Sequence, residues 1–421
     1  MKKIIISTIA TLAIASVSLS ANEITIMDEK SPEFMLGKQT HINMKFVPDD
    51  NKDMWLKAGV RIQGTFENVN TDYNGNKTNT NLSDAYLRRV RFEVAAGFGH
   101  GVSFTMDVRN DKSNYGIEND EGTFNVGDAY VKIKKPFDTS LVNFKLYRAK
   151  IDVSRTETVK SARVIAYDRP YIADIAAQYI SFNRRGTNVQ MYGDWDKKIH
   201  YQIATGAATS PNKIYDAAGD KASSDAIELS KQSYFFGGKV VLSPFDGWEE
   251  TSRTETYFGQ GKHFEVGASY WSVPQLAGTI GNGSDFDVNR DLINLEVSAH
   301  YKGLFVQAEY FDFSNVVKDW NPTTGGLETS DSTGWYVTSE YVIAEWGFVA
   351  PFVRYETQDR YEALADATVT SALGGINWYL KGNTIKAGIV YQQDHFGVDA
   401  TSNGGQAKDV QKIKVTSQFF F

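Results

Sequence analysis

The chain has 421 residues, a formal net charge of −7, no cysteine and a mean hydropathy of −0.36. Without cysteine there is no disulfide framework and no thiolate metal site, and the acidic balance argues against nucleic acid as a partner. After the N-terminus no apolar run approaches the ~20 residues of a spanning helix, which leaves open a barrel whose strands show only alternate residues to lipid.

Lys2 and Lys3 precede an apolar run, IIISTIATLAIASVSL (4–19), followed by small residues at Ser20 and Ala21. This reads as a secretory signal peptide, residues 1–21, cleaved near Ser20 or Ala21. Residues 22–54 show no clear period and read as a periplasmic leader. The barrel domain is expected over 55–421, with residues 151–186 as a constriction loop. No composition shift marks a further domain.

Strands of period two follow, near 55–67, 84–97, 101–110, 125–134, 141–150, 187–194, 198–207 and 234–243. Eight more are read near 263–272, 290–301, 303–313, 333–343, 346–357, 371–380, 384–394 and 411–421. In the first, Leu56, Ala58, Val60, Ile62 and Phe66 alternate with Lys57, Arg61, Gln63, Thr65 and Glu67. In the third, Val102, Phe104, Met106 and Val108 alternate with Ser103, Thr105, Asp107 and Arg109. The fifteenth has a poorer contrast, with Val390 on the polar parity beside Lys386 and Gly388. Arg88 shares parity with Val90, Phe92 and Val94 and is expected near a membrane interface, snorkelling. Arg148 and Lys150 share parity with Phe144 and Leu146, which requires a bulge or the end of the strand.

The connections sort by length. GFGHG (97–101), KPFDTS (135–140), DWDKK (194–198), YKG (301–303), IAEW (343–346) and KGN (381–383) are tight. They alternate with long polar linkers at 68–83, 111–124, 151–186, 208–233, 273–289, 314–332, 358–370 and 395–410. Short turns at one rim and long loops at the other describe an all-β, transmembrane antiparallel barrel of about sixteen strands in an outer membrane. The segment 244–262 breaks the rule by its length and either hides an extra element or marks a miscount. Plentiful aromatics, 25 Phe, 22 Tyr and 8 Trp, suit interfacial girdles.

The last strand, QKIKVTSQFFF, puts Ile413, Val415, Ser417, Phe419 and Phe421 on one parity and Lys412, Lys414, Thr416 and Gln418 on the other. This ending resembles the terminal signature of outer-membrane barrels, which implies that Phe419 and Phe421 form the signal read by the assembly machinery.

Several stretches resemble the phosphate-selective porins of the O and P type. They are LKAGVRIQ (56–63), YLRRVRFEVAAGF (86–98), VSFTMDVR (102–109), VGDAYVKI (126–133), NRRGTNVQMYG (183–193) and GGKVVLSPF (237–245). KIDVSRTETVKSA (150–162) is similar to that family's K-x-P-F-S-R-E block, with Asp152 where the family has Pro. YDRP (167–170) sits where the family has an acidic–Arg pair. The family's arginine ladder is not obvious. The resemblance implies a homotrimeric, sixteen-stranded porin in outer-membrane lipid, whose third extracellular loop narrows the pore. Loop sorting independently makes 151–186 the third long loop.

Arg61, Arg89, Arg91, Arg109 and Lys132 fall at strand positions assigned to the lumen. Lys150, Arg155, Lys160, Arg163 and Arg169 fall at or in the constriction loop. Cations at a narrowing favour anions, so the expected solutes are small anions such as phosphate. The competing reading is lumen filler balanced by Asp107, Asp128, Asp152 and Glu157, giving a non-selective or cation-preferring pore. No cofactor or metal is expected. D-F-D-V-N-R-D-L-I-N-L-E (285–296) departs from a calcium loop because Arg290 replaces its turn glycine, and it reads as an acidic surface loop. The six histidines are scattered, with no H-E-x-x-H or G-x-S-x-G, so an enzyme is not expected. Hydrolase turnover would mark a barrel enzyme, and absence of channel steps a plugged structural barrel.

Overall fold

The computed structural model describes residues 23–26, 44–47, 54–73, 78–113, 115–116, 122–180, 185–208, 228–245, 254–259, 261–279, 285–318, 328–360, 362, 368–397 and 407–420. The expected signal peptide over 1–21, most of the expected leader over 22–54 and Phe421 lie outside these residues. The strands are β1 Glu23–Ile26, β2 Met44–Val47, β3 Met54–Tyr73, β4 Thr80–Phe98, β5 Val102–Ser113, β6 Asn125–Ile133 and β7 Asn143–Arg148. After two helices, α1 Arg155–Thr158 and α2 Tyr171–Ile180, come β8 Thr187–Trp195, β9 Ile199–Gly206, β10 Glu228–Gln232 and β11 Phe235–Leu242. The remainder are β12 Lys262–Thr279, β13 Asp285–Tyr301, β14 Leu304–Lys318, β15 Glu328–Tyr341, β16 Val349–Asp359, β17 Thr368–Asn383, β18 Ile385–Phe396 and β19 Ala407–Phe420.

Every neighbouring pair is antiparallel, and β19 closes on β3 from Ala407↔Tyr73 to Phe420↔Arg61. Both β10 and β11 pair with β12, so they form one interrupted strand. The result is a closed antiparallel barrel of sixteen strands, which leaves no open edge to lipid. Along the edge of β3, β2 takes over below Phe420, pairing Met44 with Ala58 and Phe46 with Leu56.

Alternation sets the two faces. On β13, Ile293, Leu295 and Val297 face outward while Asn294, Glu296 and Ser298 are buried inward. Outward aromatics form two belts, one with Tyr270, Tyr310, Trp335, Tyr355 and Tyr391, the other near the short turns with Trp195, Tyr301, Tyr341, Trp346 and Trp378. The short turns use left-handed residues where the hairpin needs them: Asp196 and Lys197 have φ of 52° and 54°, and Lys302–Gly303 have 47° and 89°.

Several expectations are corrected. Many strands outrun their expected ends: β3 and β4 climb to Tyr73 and Thr80, through most of the linker expected at 68–83. Asn68 donates there to Asn81 Oδ1 at 2.7 Å and Ser83 Oγ at 2.9 Å, so side chains extend the ladder beyond the apolar band. Residues 285–296 are not a loop but the first part of β13. Arg88 is not at a lipid interface. Between Gln63↔Arg89 and Gly64↔Leu87 it is the extra residue of a bulge, which turns Arg88 and Arg89 both inward, at 9% and 8% exposure. Arg148 is the end of β7, and the chain then leaves the wall.

Closure gives the first testable consequence. Deleting Phe419–Phe421 strips partners from Arg61 and Ile62 on β3 and is expected to leave the chain unfolded in the periplasm. Loss of heat-modifiable gel migration would show it, and a compact heat-modifiable species would contradict it.

Candidate permeation path

From Ala149 the chain turns into the lumen and is buried almost throughout to Ile180. Its large apolar side chains pack mainly against one side. Ile151, Val153, Ile172, Ile175 and Tyr179 meet Trp271, Leu292, Phe311, Phe313 and Tyr336 on the inner face of β12–β15. Ile165 and Tyr167 meet Phe305, Phe352, Leu373 and Val390 on β14 and β16–β18. These lumen-side apolar residues bury the loop's own apolar side chains, at about 25 cal/mol per Å² removed from water.

Within the long 244–262 connection, residues 254–259 complete the filling and brace the loop from the short-turn rim. Glu255 accepts from Thr156 Oγ1 at 3.0 Å and from Ile165 N at 2.9 Å, and its own N–H donates to Arg163 O at 3.2 Å. Phe258 packs on Val342, Ala350 and Tyr379.

Arg155 belongs to this filled side. Its side chain is 1% exposed, 3.6 Å from Glu265, and donates to Gln307 Oε1 at 2.7 Å and Thr254 O at 2.8 Å. It is the one expected constriction cation that lines no part of the polar path, because α1 carries it toward β12–β14.

The opposite wall, β3–β9, stays open, and three linked cavities run along it. The outer one, about 1100 Å³, lies toward the long loops and is lined by twelve basic and five acidic side chains. The inner one, about 680 Å³, lies at the short-turn rim and is lined by seven basic and two acidic side chains. Between them is a neck of about 110 Å³ lined by six basic and four acidic side chains. Neck and outer cavity share Arg91, Lys150, Arg169 and Arg185; neck and inner cavity share Thr158 and Lys160.

The other sequence-selected cations fall along this route. Arg89 and Arg109 line the outer cavity, Arg91, Lys150 and Arg169 its junction with the neck, Arg61 the neck, Lys160 its inner end, and Lys132 and Arg163 the inner cavity. The loop orders three of them: Arg89 donates to Tyr167 O at 3.1 Å, Arg61 to Ser161 Oγ at 2.6 Å and Arg169 to Thr156 O at 2.9 Å. Ion pairs hold three more: Lys160–Glu93 at 3.0 Å, Lys150–Glu157 at 3.3 Å and Arg91–Asp111 at 2.9 Å.

Sequence reasoning missed Arg88, which pairs with Asp168, and Lys414, 3.0 Å from the same carboxylate. It also missed Arg185, 2.7 Å from Asp128. The Arg88–Arg89 doublet was the available signal, because two adjacent arginines in an alternating strand need a bulge to share a face. No group of three or more His, Asp or Glu able to hold a metal occurs among the described residues.

A closed sixteen-stranded barrel with an inward third loop and a polar path beside it defines an outer-membrane porin. The chain belongs to the phosphate-selective porin O and P family, whose model matches residues 56–419. It is 23% identical over 401 residues to an uncharacterized protein of Aquifex aeolicus, with 87% of each chain covered. Among solved structures it is similar to the anion-selective porin of Comamonas acidovorans (TM-score 0.58, 11% identity, 87% of this chain and 100% of that one). It is also similar to the outer-membrane channel DcaP of Acinetobacter baumannii (TM-score 0.58, 10% identity, 89% and 99% covered). Salmonella typhi OmpF shares the fold as well (TM-score 0.53, 14% identity, 86% and 98% covered). Fold and family make the protein an outer-membrane channel.

Proposed function

We propose that the channel prefers anions and passes small anionic solutes, phosphate among them. One observation carries this reading: outer cavity, neck and inner cavity each hold more basic than acidic side chains, although the whole chain has net charge −7. Acidic residues elsewhere act through solvent, where fields fade within about 8–10 Å at physiological salt. Cations in a narrow low-dielectric path act on the ion directly. The test is a reversal potential across a planar bilayer under a potassium chloride gradient. Anion preference is expected; cation preference would end the reading.

We propose further, from the family and the N-terminal sequence, a homotrimer exported by a cleaved signal over 1–21 and inserted by the outer-membrane assembly machinery. Its orientation is tested on intact cells. An epitope inserted between β14 and β15 is expected to be labelled and one at 135–140 is not; labelling of the second would invert the topology.

A further inference from the structure

Five of the six cations that line the neck, Arg91, Lys150, Lys160, Arg169 and Arg185, are held in ion pairs, while Arg61 donates to Ser161 Oγ. Lys160 Nζ lies 3.0 Å and 3.3 Å from the two oxygens of Glu93. Lys150 and Arg169 lie 3.3 Å and 3.9 Å from Glu157, and Arg185 lies 2.7 Å from Asp128. Asp107 accepts from the backbone N–H of Asp128, and the absent side chain of Gly127 leaves room for its carboxylate. The neck is the smallest of the three cavities, so a permeating solute meets these walls more closely here than in either vestibule.

That lining sorts anions by more than charge. A compact dianion is held by drawing several cations onto itself. Here all of those cations but Arg61 would leave a carboxylate, and a partly buried carboxylate stripped of its cation is costly. A hydroxyl makes no such demand, because it donates one hydrogen bond and accepts others. It can bridge the two ends of an ion pair, donating to the carboxylate and accepting from the ammonium or guanidinium, with the pair intact. We infer that the neck selects polyhydroxylated organic monoanions, of the sugar-acid class, over compact inorganic dianions. The carboxylate of such a solute uses the excess of six basic over four acidic side chains, and its hydroxyls use Glu93, Asp107 and their partners.

This inference rests on the anion reading, and the experiment separates the two. Chloride current through single channels is measured at pH 8 with D-glucuronate, cyclohexanecarboxylate or hydrogen phosphate added. Glucuronate and cyclohexanecarboxylate match in charge and approximate size, and only the first carries hydroxyls. Glucuronate is expected to half-block the current at roughly one tenth the concentration of either other anion, the effect of one or two net hydrogen bonds. Glu93→Gln with Asp107→Asn is expected to remove most of that advantage. Equal block by cyclohexanecarboxylate, or stronger block by hydrogen phosphate, overturns the inference while leaving an anion-selective channel. A cation-selective wild-type channel overturns the anion reading itself. The wild-type comparison decides the matter even where the double variant fails to fold.

Discussion

Replacing Lys150 and Lys160 together with glutamate is expected to reverse the channel's ion preference. The neck then changes from six basic against four acidic side chains to four against six. At about 4 Å and an effective dielectric near 20, one unit charge contributes about 4 kcal/mol to an ion's energy. About a third of that, left after screening, is enough to shift permeation tenfold, at 1.4 kcal/mol per decade. Both vestibules keep their basic excess, so conductance persists while the reversal potential changes sign. Lys160 is the safer of the two for folding, with its side chain 44% exposed. Heat-modifiable migration checks that the barrel has formed. An unchanged sign in a folded variant would show that neck charge does not set the preference.

Arg155 is expected to behave in the opposite way. Arg155→Met removes the guanidinium 3.6 Å from Glu265, a carboxylate itself 3% exposed, and breaking one side of a buried pair costs about 3–5 kcal/mol. It also removes the bonds to Gln307 and Thr254 that clip the loop to the filled wall and to the brace. The expected outcome is a larger, noisier conductance and a lower midpoint of heat modification, with the sign of the ion preference kept. A variant with unaltered conductance and stability would show that the loop is held by its apolar contacts alone. Single-channel recording beside Lys160→Gln separates the two roles, since the latter is expected to alter preference and leave loop retention intact.

The architecture was legible because a barrel writes its two faces directly into the sequence. Alternation on β3, β5 and β19 and the sorting of short and long connections needed no tertiary information. The register did not show. The bulge at Arg88 depends on how β4 meets β3, so parity alone sent that arginine to lipid. The weak contrast of β18 also had a cause outside the strand. Val390 faces the lumen and looks misplaced in a water-filled pore, yet it packs against Ile165 and Tyr167 of the inward loop. Leu292, Phe311 and Phe313 are explained in the same way. Apolar residues on lumen parity along β12–β18 were the sequence signal that one wall is covered and the other open. The same division separates Arg155 from Lys160, only five positions apart. One sits at the start of a helical turn pressed against the filled wall, the other beyond it and across from Glu93. Residues 254–259 of the long 244–262 connection proved to brace the loop, which the connection's polar composition did not reveal.

The most direct test of the open route uses the absence of native cysteine. Thr105 lines the neck, and Ser298 is buried on the filled wall, 2.6 Å from His263. Single-cysteine channels, Thr105→Cys and Ser298→Cys, are exposed in turn to an anionic and a cationic thiosulfonate while current is recorded. A path along β3–β9 governed by its cations predicts block at Thr105→Cys, faster with the anionic reagent, and none at Ser298→Cys. Block at Ser298→Cys with none at Thr105→Cys, or faster reaction with the cationic reagent, would contradict the account.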